Sequence, residues 1–458
     1  MVKKIYIHCE ITKREFEAKL LLSTIAANNN FEVYMGNIEG LEKNIHLPSG
    51  LLHFTSCTPA KRILDLFKRL KRKKFIITAQ DEEGGVEEIK NFFSKPPVGI
   101  FYYRFSNKSL KYVDAIFSWS NFDYDNLIKR FSKYKKKIFN TGNPRADMWS
   151  KILKKSYFNK NEKNQKYILI NSHTDGPASN KRLIENLKII KDAYYFNDDK
   201  EFENTKINYF NSLSKRTDFM YIYTEAIIEL SRKFKNEKFI FRPHPIENLE
   251  TWKFLFRNCT NIRVTKEKSS TYWMHRSKLL IQNGCYTAIE AANLELDIIS
   301  FIPDILKDLA KPFTANLGFK CKNKKDLIKL VIFLNNNRNK NKILKKKIEN
   351  KKKVNSRIHF PTKILNADKI VHIWKLLYKN ENSILFENII FEIQIFFKNL
   401  KYRFFNLKSN GKIYDRKFED INFEETNLMM INFIKILGLS EKIRLKMITK
   451  HICRIVKK

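Results

Sequence analysis

The chain has 458 residues, too many for a single ordinary core, so its length predicts two domains and a further segment. Hydrophobic residues at 43% and aromatic residues at 13% exclude a globally disordered chain. The formal net charge of +40 predicts an anionic partner such as nucleic acid, an anionic membrane leaflet or a phosphorylated substrate, although lysine is abundant throughout and part of the excess is compositional.

The first third of the chain alternates between strand and helix patterns. Apolar runs predict strands at 4–8, 31–34, 51–55, 75–78, 115–118 and 137–141, and helical spacing predicts helices at 13–28 and 123–131. This alternation is typical of a parallel sheet covered by helices on both faces. We therefore expect an α/β domain over residues 1–150.

A second α/β pattern follows a polar linker at 151–166. It predicts strands at 167–171, 238–241, 279–281 and 298–301, helices at 218–234 and 287–293, and a helical insertion at 180–215. We therefore expect a second domain over residues 167–330.

The remainder of the chain is basic. The Lys/Asn-rich stretch at 331–360 is typical of a solvated helix or a linker, and 361–458 predicts a basic helical extension. Its last segment, 441–458, mixes apolar and basic residues and predicts an amphipathic helix that lies on an anionic membrane surface. The alternative is a terminal helix packed on the domain.

The cysteines and the N-terminus predict a cytoplasmic protein. The six cysteines are scattered without a CxxC pair, and neither Asp-X-Asp nor a His/Cys cluster occurs, so we expect free thiols and no bound metal or cofactor. The N-terminus begins a strand without a signal-peptide pattern, and no run of 18 apolar residues predicts a membrane span.

Three consecutive carboxylates, Asp81, Glu82 and Glu83, directly follow an apolar strand. Their mutual repulsion raises the pKa of at least one of them, as a general base requires, and Gly84 lets a substrate approach the backbone. The alternative is an acidic N-cap for a helix at 86–93.

A histidine lies between two prolines in the sequence Arg242-Pro243-His244-Pro245, at the end of another apolar strand. Because proline fixes φ, the imidazole is presented on a stiff turn at the carboxyl edge of the sheet, where ligands of α/β proteins bind. Arg242 and His244 together could neutralise a phosphate. The alternative is a histidine that only completes the turn.

A strand also ends at Asn283 and Gly284, where a helix begins with small and hydroxyl residues. Backbone N–H groups at such a start favour an anion. Glu290, one turn into the helix, could reach ribose hydroxyls. The alternative for Glu290 is an acidic first-turn residue that complements the helix dipole.

These motifs carry a resemblance to a known family. The motifs occur in a fixed order: Glu10…Arg14-Glu15-Phe, Asp81-Glu-Glu-Gly84, Trp119…Asn121, Thr141-Gly-Asn-Pro-Arg145-Ala-Asp147, Arg242-Pro-His-Pro245 and Asn283-Gly-Cys…Glu290-Ala. In this combination, residues 1–330 resemble the bacterial surface carbohydrate biosynthesis proteins. That family resembles GT-B glycosyltransferases, which implies an α/β fold of two Rossmann-like domains facing a cleft, here with a helical C-terminal extension.

The resemblance also implies roles for particular residues. In the similar sialyltransferases and Kdo transferases, an acidic turn supplies the catalytic carboxylate and a His-Pro histidine contacts the phosphate of a CMP-sugar. The implied catalytic residues are Asp81, Glu82 and Glu83; the implied nucleotide ligands are Arg242, His244, Asn283, Gly284, Thr287 and Glu290; the implied substrate ligands are Glu10, Arg14, Gly84, Asn143 and Arg145. The Ser-Ser/Thr pair of sialyltransferases is matched here only by Thr287.

The function implied is metal-independent transfer of a sugar, in particular a CMP-linked acidic sugar, to a glycan or lipid-linked acceptor during surface polysaccharide biosynthesis, in capsule or O-antigen. The expected location is the cytoplasm, with peripheral attachment to the inner face of the cytoplasmic membrane. One alternative is a polyol phosphotransferase of the CDP-glycerol type. Another is a basic nucleic-acid-binding protein, but the sequence has no RNP, zinc-finger or helix-turn-helix signature.

Overall fold

The chain forms two compact units, each built on its own sheet. The computed structural model describes residues 3–43, 45–86, 104–157, 166–174, 187, 199–336, 339–378, 389–397 and 418–458. The first unit contains the described residues within Met1–Gly85, Ile100–Phe158 and Ile358–Lys458, and the second contains those within Asn159–Arg357 together with Val86.

The first unit begins with six parallel strands. They are β1 (Lys3–His8), β2 (Phe31–Gly36), β3 (Leu51–Phe54), β4 (Ile76–Gln80), β5 (Ala115–Ser118) and β6 (Ile138–Asn140). Every residue of β2, β3 and β4 is buried, as expected where helices cover both faces of a parallel sheet. The helices of this part are α1 (Thr12–Asn28), α2 (Ile38–Glu42), α3 (Lys61–Arg72), α4 (Asn107–Leu110), α5 (Asn121–Arg130) and α6 (Pro144–Met148).

The second unit contains a parallel sheet of six strands. They are β7 (Tyr167–Asn171), β8 (Phe239–Arg242), β9 (Ile262–Val264), β10 (Ser277–Gln282), β11 (Asp297–Phe301) and β12 (Phe319–Cys321), and their order in the sheet is β12-β11-β10-β7-β8-β9. The strand order therefore reverses between β7 and β10. At such a reversal the carboxyl ends of the strands form a crevice where α/β proteins bind ligands.

Seven helices belong to the described part of this unit. They are α7 (Asp199–Lys233), α8 (Leu249–Leu255), α9 (Ser270–Met274), α10 (Thr287–Asn293), α11 (Pro312–Ala315), α12 (Lys324–Asn335) and α13 (Lys340–Asn355). The predicted insertion at 180–215 is helical from Asp199 onward, and most of its earlier part lies outside the described residues. The expectation for 331–360 was a solvated helix or a linker, and the structure has a helix there, α13.

The C-terminal segment joins the first unit. It contributes α14 (Asn366–Leu377), α15 (Phe423–Leu437) and a hairpin of β13 (Ile443–Thr449) and β14 (Ile452–Lys457). Strand β14 pairs antiparallel with β2, so the hairpin extends the first sheet to eight strands.

The prediction of an amphipathic helix at 441–458 is wrong. The residues of β13 alternate between buried Ile443 and Leu445 and exposed Arg444 and Lys446, which is the two-residue period of a strand with one covered face. A membrane-binding helix at this place is therefore not part of the fold.

The predicted class, α/β with two Rossmann-like units and helices in the C-terminal segment, is confirmed. Of the alternative helix at 86–93, only Val86 lies within the described residues, and Val86 itself is not helical. No helix among the described residues is long and apolar enough to cross a membrane.

Candidate functional site

Polar residues of the first unit gather beyond the carboxyl ends of its parallel strands. Glu10 follows β1, Asp81 follows β4 and Asn143 follows β6. The Gln80 side chain donates a hydrogen bond to the carbonyl oxygen of Gly142 at 2.8 Å, so the turns after β4 and β6 are joined. Parallel strands end at one edge, and these groups therefore share it.

Hydrogen bonds from other residues of the chain occupy the Asp81 carboxylate. The Arg104 Nε and Nη2 atoms donate to its two carboxylate oxygens at 2.5 and 2.7 Å. One oxygen also accepts the backbone N–H of Glu83 at 2.8 Å, and the Trp119 indole donates to the Asp81 carbonyl at 2.6 Å. Asp81 therefore shapes the turn.

Glu82 is buried and paired. Its side chain is 2% exposed and forms an ion pair with Lys19 at 2.7 Å. Burial opposes ionisation, but the charges of Lys19, Arg145 and Arg14 outweigh it and hold the pKa of Glu82 below its ordinary value. The Arg145 guanidinium donates to the Glu82 carbonyl at 2.9 Å. Glu82 is thus an enclosed carboxylate that anchors Lys19.

Glu83 is the most accessible of the three predicted catalytic carboxylates. Its side chain is 35% exposed, and its two oxygens lie 3.4 Å from Arg14 Nη1 and 3.7 Å from Arg104 Nη1. A substrate hydroxyl could approach this carboxylate from solvent.

Glu15 is a buried carboxylate that the sequence analysis did not assign to the site. One of its oxygens accepts the backbone N–H groups of Glu10 at 3.3 Å and Ile11 at 2.9 Å. Burial, with the nearby charge of Glu82, raises the pKa of Glu15 to about 7. The Oε2 atoms of Glu15 and Glu82 have no hydrogen-bond partner among the described residues. The four-residue spacing of Glu15 and Lys19 on one face of α1 was the signal available in the sequence.

The predicted substrate ligands differ in accessibility. Glu10 and Arg14 are half-buried at the edge, whereas Asn143 and Arg145 are buried. The Asn143 side chain caps α6 by accepting the N–H of Arg145 at 2.8 Å. A Cβ atom on Gly84 would lie 2.0 Å from Trp119, so protein fills the space expected for a substrate. Packing therefore accounts for this glycine.

The second unit holds two imidazoles at its carboxyl edge. His244 follows β8 and His173 follows β7; their ring centroids are 4.9 Å apart with the planes inclined by 36°. The backbone N–H of Ile246 donates to His244 Nδ1 at 3.4 Å. In the neutral ring the proton then resides on Nε2, which makes that atom a hydrogen-bond donor. Arg242 ends β8, is buried and donates to the carbonyl of Lys268 at 2.9 Å.

A buried carboxylate, Glu247, accepts hydrogen bonds from both turns that carry the histidines, the one after β7 and the one after β8. It accepts the backbone N–H of His244 at 3.2 Å and the Trp252 indole N–H at 3.0 Å. Its other oxygen accepts the backbone N–H of Thr174 at 2.6 Å and the Thr174 hydroxyl at 2.9 Å. Sequence reasoning missed both His173 and Glu247. His173 follows the predicted strand at 167–171 by two residues, and that position was the available signal.

The helix start after β10 is less open than expected. The backbone N–H groups of Gly284 and Cys285 donate to the Gln282 side chain at 2.6 and 2.8 Å, so these two donors are occupied within the protein. These two N–H groups are therefore not available to an anion, and nucleotide binding by Asn283 and Gly284 stays a prediction. Asn283 instead donates to the His173 carbonyl at 3.1 Å, which ties the ends of β7 and β10 together.

Two further predicted ligands lie near this helix start. The Thr287 hydroxyl accepts a hydrogen bond from Asn171 at 2.9 Å. Glu290 is buried, and one of its oxygens accepts the hydroxyls of Ser270 at 3.0 Å and Thr271 at 3.2 Å at the start of α9. Glu290 therefore joins α9 to α10, and contact with a ribose stays a prediction.

Among the described residues, no group of three His, Cys, Asp or Glu side chains is arranged to hold a metal ion. The site chemistry of the described chain consists of imidazoles, guanidinium groups and carboxylates.

Comparisons with known proteins relate the chain to solved structures alone, since no family model and no curated protein matches it. A UDP-GlcNAc 2-epimerase from Methanocaldococcus jannaschii is 14% identical with a TM-score of 0.45, covering 82% of this chain and 100% of that one. A UDP-GlcNAc 2-epimerase from Neisseria meningitidis bound to UDP-GlcNAc is 15% identical with a TM-score of 0.46, covering 83% and 100%. A variant of the wall teichoic acid polymerase TagF is 11% identical with a TM-score of 0.47, covering 82% and 89%. Likenesses this distant carry no conclusion about function.

Proposed function

We propose that the chain is a metal-independent glycosyltransferase of bacterial surface polysaccharide biosynthesis that uses a nucleotide-activated sugar. The observation that carries the proposal is the imidazole pair of His173 and His244 beyond the ends of β7 and β8, next to the strand-order reversal between β7 and β10. Two adjacent imidazole rings suit the phosphate of a nucleotide, because each can donate to an anionic oxygen.

The proposed role of His244 is to bind the donor phosphate. Its Nε2–H would donate to a phosphate oxygen, and this bond strengthens as negative charge grows on the departing nucleotide. Glu247 positions His173 and His244 by holding the backbone at both turns. Glu247 is therefore a positioning residue, while the two histidines contact the ligand.

The proposed catalytic base is Glu83 in the first unit. A base must reach the acceptor hydroxyl, and the exposure of Glu83 permits this, whereas Glu82 is enclosed with Lys19. Arg14 and Arg104 would orient the carboxylate. Glu10 and Arg14, at the same edge, are the proposed acceptor ligands.

The proposed donor is a CMP-linked acidic sugar. The resemblance to the bacterial surface carbohydrate biosynthesis proteins and to sialyltransferases supports it, with Thr287 as the matching hydroxyl residue. The cationic composition of the chain favours a donor that carries a carboxylate as well as a phosphate. The proposed acceptor is a glycan or a lipid-linked glycan, reached by peripheral attachment to the inner face of the cytoplasmic membrane.

Donor turnover tests this proposal. The full chain would be incubated with CMP-linked sialic acid, CMP-linked Kdo or CDP-glycerol, in each case with a membrane extract from a surface-polysaccharide producer as the acceptor source. We expect release of CMP from a CMP-sugar and its loss in the Glu83→Gln variant. Turnover of CDP-glycerol alone would identify a polyol phosphotransferase and overturn the assignment.

A further inference from the structure

Helix α13 of the second unit has an outer face that no described residue covers. Leu344 and Ile348 lie one turn apart on this face and are 56% and 61% exposed. Lys345 and Lys352 are exposed beside them. These neighbouring side chains make the outer face of α13 both apolar and cationic.

The lysines of α13 divide between the two sides of the helix. Lys347 pairs with Asp297 at 3.0 Å and Lys351 pairs with Glu295 at 2.5 Å, which fastens the inner side to the domain. Lys345 and Lys352 form no ion pair with any residue in the described parts of the chain. The outer positive charges are therefore uncompensated by the described protein.

The acidic residue of α13 does not offset this charge. The helix contains eight lysines and one carboxylate, Glu349. Glu349 pairs with Lys346 at 2.9 Å and with Lys353 at 2.5 Å, and both ion pairs lower its pKa to about 2. The charge of the helix is strongly positive at any physiological pH, and its outer face combines that charge with apolar side chains.

We infer that the outer face of α13, formed by Leu344, Lys345, Ile348 and Lys352, binds the surface of an anionic lipid bilayer. The lysines complement anionic headgroups, and the two aliphatic side chains enter the boundary between headgroups and acyl chains. A nucleic acid would satisfy the lysines but leave the aliphatic side chains in water, so the composition of this face favours a bilayer. This inference deepens the proposed peripheral attachment and uses no part of the transfer chemistry.

Vesicle sedimentation tests this surface. The full chain would be mixed with vesicles of phosphatidylglycerol and phosphatidylcholine, or of phosphatidylcholine alone, and the bound fraction measured against lipid concentration. We expect binding to the anionic vesicles, with about tenfold weaker binding for Leu344→Ser/Ile348→Ser and for Lys345→Gln/Lys352→Gln. All four residues are exposed, and unchanged thermal unfolding would show that the variants are folded.

Matched controls distinguish lipid binding by this face from a general effect of surface charge or hydrophobicity. Lys135→Gln/Lys136→Gln removes two exposed lysines of the first unit, and Ile207→Ser removes an aliphatic side chain of α7 that is 55% exposed. Both controls should bind as the parent chain does. The inference is overturned if the parent chain ignores anionic vesicles, if Leu344→Ser/Ile348→Ser binds equally well, or if the controls lose as much binding. Because the readout is lipid binding, its failure is distinguishable from failure of donor turnover.

Discussion

Asp81, Glu82 and Glu83 are adjacent in sequence, yet each carboxylate has a different partner. Asp81 is held by Arg104, Glu82 by Lys19, and Glu83 lies between two arginines at the surface. The residue order alone could not separate these roles, because the side-chain partners come from α1 and from the segment before α4. The structure favours Glu83 as the proposed base on exposure alone.

Substitution of the two glutamates should have different effects. Glu83→Gln should lower turnover by about 10²- to 10⁴-fold because it removes the proposed base. It should leave nucleotide binding and the free energy of unfolding nearly unchanged, because this carboxylate is only half-buried. Glu82→Gln should instead lower the free energy of unfolding by about 3–5 kcal/mol, because Lys19 is left buried without its counter-charge. Turnover, calorimetric nucleotide binding and urea unfolding measure these effects. Full turnover by Glu83→Gln would rule out this residue as the base.

The pKa of Glu15 predicts a pH dependence of stability. The folded-state pKa of about 7 lies above the ordinary value of 4.5. Between pH 4.5 and pH 7, Glu15 is therefore ionised in the unfolded chain but still protonated in the folded chain. Stability contributed by the neutral acid is therefore present below pH 4.5 and lost as the pH rises to 7.

Glu15→Gln is the matching variant, since glutamine keeps the acceptor oxygen and cannot ionise. Its free energy of unfolding should equal that of the parent near pH 4.5 and exceed it above pH 7. Urea unfolding at a series of pH values gives the difference curve. A flat difference across this window would show that Glu15 does not titrate as described.

At the scale of elements, the C-terminal segment completes the first unit through α14. The backbone N–H groups of Asn366 and Ala367 each donate to Asp147 at 2.9 Å, and the Asn366 side chain donates to the Asn143 carbonyl at 3.1 Å. The start of α14 therefore docks onto the turn after β6. Gly142 in that turn has a φ of +78°, and an added Cβ would lie 2.4 Å from the Asn366 side chain.

Alanine substitutions at two glycines with positive φ distinguish the cost of backbone strain from the cost of disturbing the contact between α14 and the turn after β6. Gly438→Ala, at φ +61° with open space around it, should cost about 1 kcal/mol of unfolding free energy. Gly142→Ala should cost at least about 2 kcal/mol more, because it also displaces Asn366. Urea unfolding compares the variants, and equal costs would mean that α14 tolerates displacement at this turn.

Much of the element pattern could be predicted from local sequence. The predicted strand at 167–171 is β7, and the predicted helix at 287–293 is α10. The hairpin at the C-terminus was harder to recognise, because a short segment of mixed apolar and basic residues fits the period of a helix as well as that of a strand. Its partner strand β2 also lies about 420 residues away in the sequence. His173 illustrates the same difficulty for the site, since it meets His244 only because β7 pairs with β8, whereas Glu247 contacts His244 within one local turn.

At the scale of the whole molecule, some of the cationic side chains behind the net charge of +40 form ion pairs and hydrogen bonds within the fold. Lys19, Arg104 and Arg145 compensate buried carboxylates or carbonyls in the first unit. Other lysines, such as those on the outer face of α13, are directed to solvent. The charge excess by itself therefore indicated an anionic partner without identifying it, and the chemistry at the two sheet edges was needed to propose a nucleotide-sugar.

The central claim is that the second unit binds a cytidine nucleotide through His244. The most direct measurement is a thermal-shift titration of the parent chain and of His244→Ala with CMP, CDP, UDP and GDP, with His372→Ala as a control because His372 is exposed on α14. We predict that CMP and CDP stabilise the parent and the control, and that His244→Ala weakens binding about 10- to 100-fold, as loss of a hydrogen bond to a charged group would. Selective stabilisation by UDP or GDP, or unchanged binding in His244→Ala, would contradict the claim.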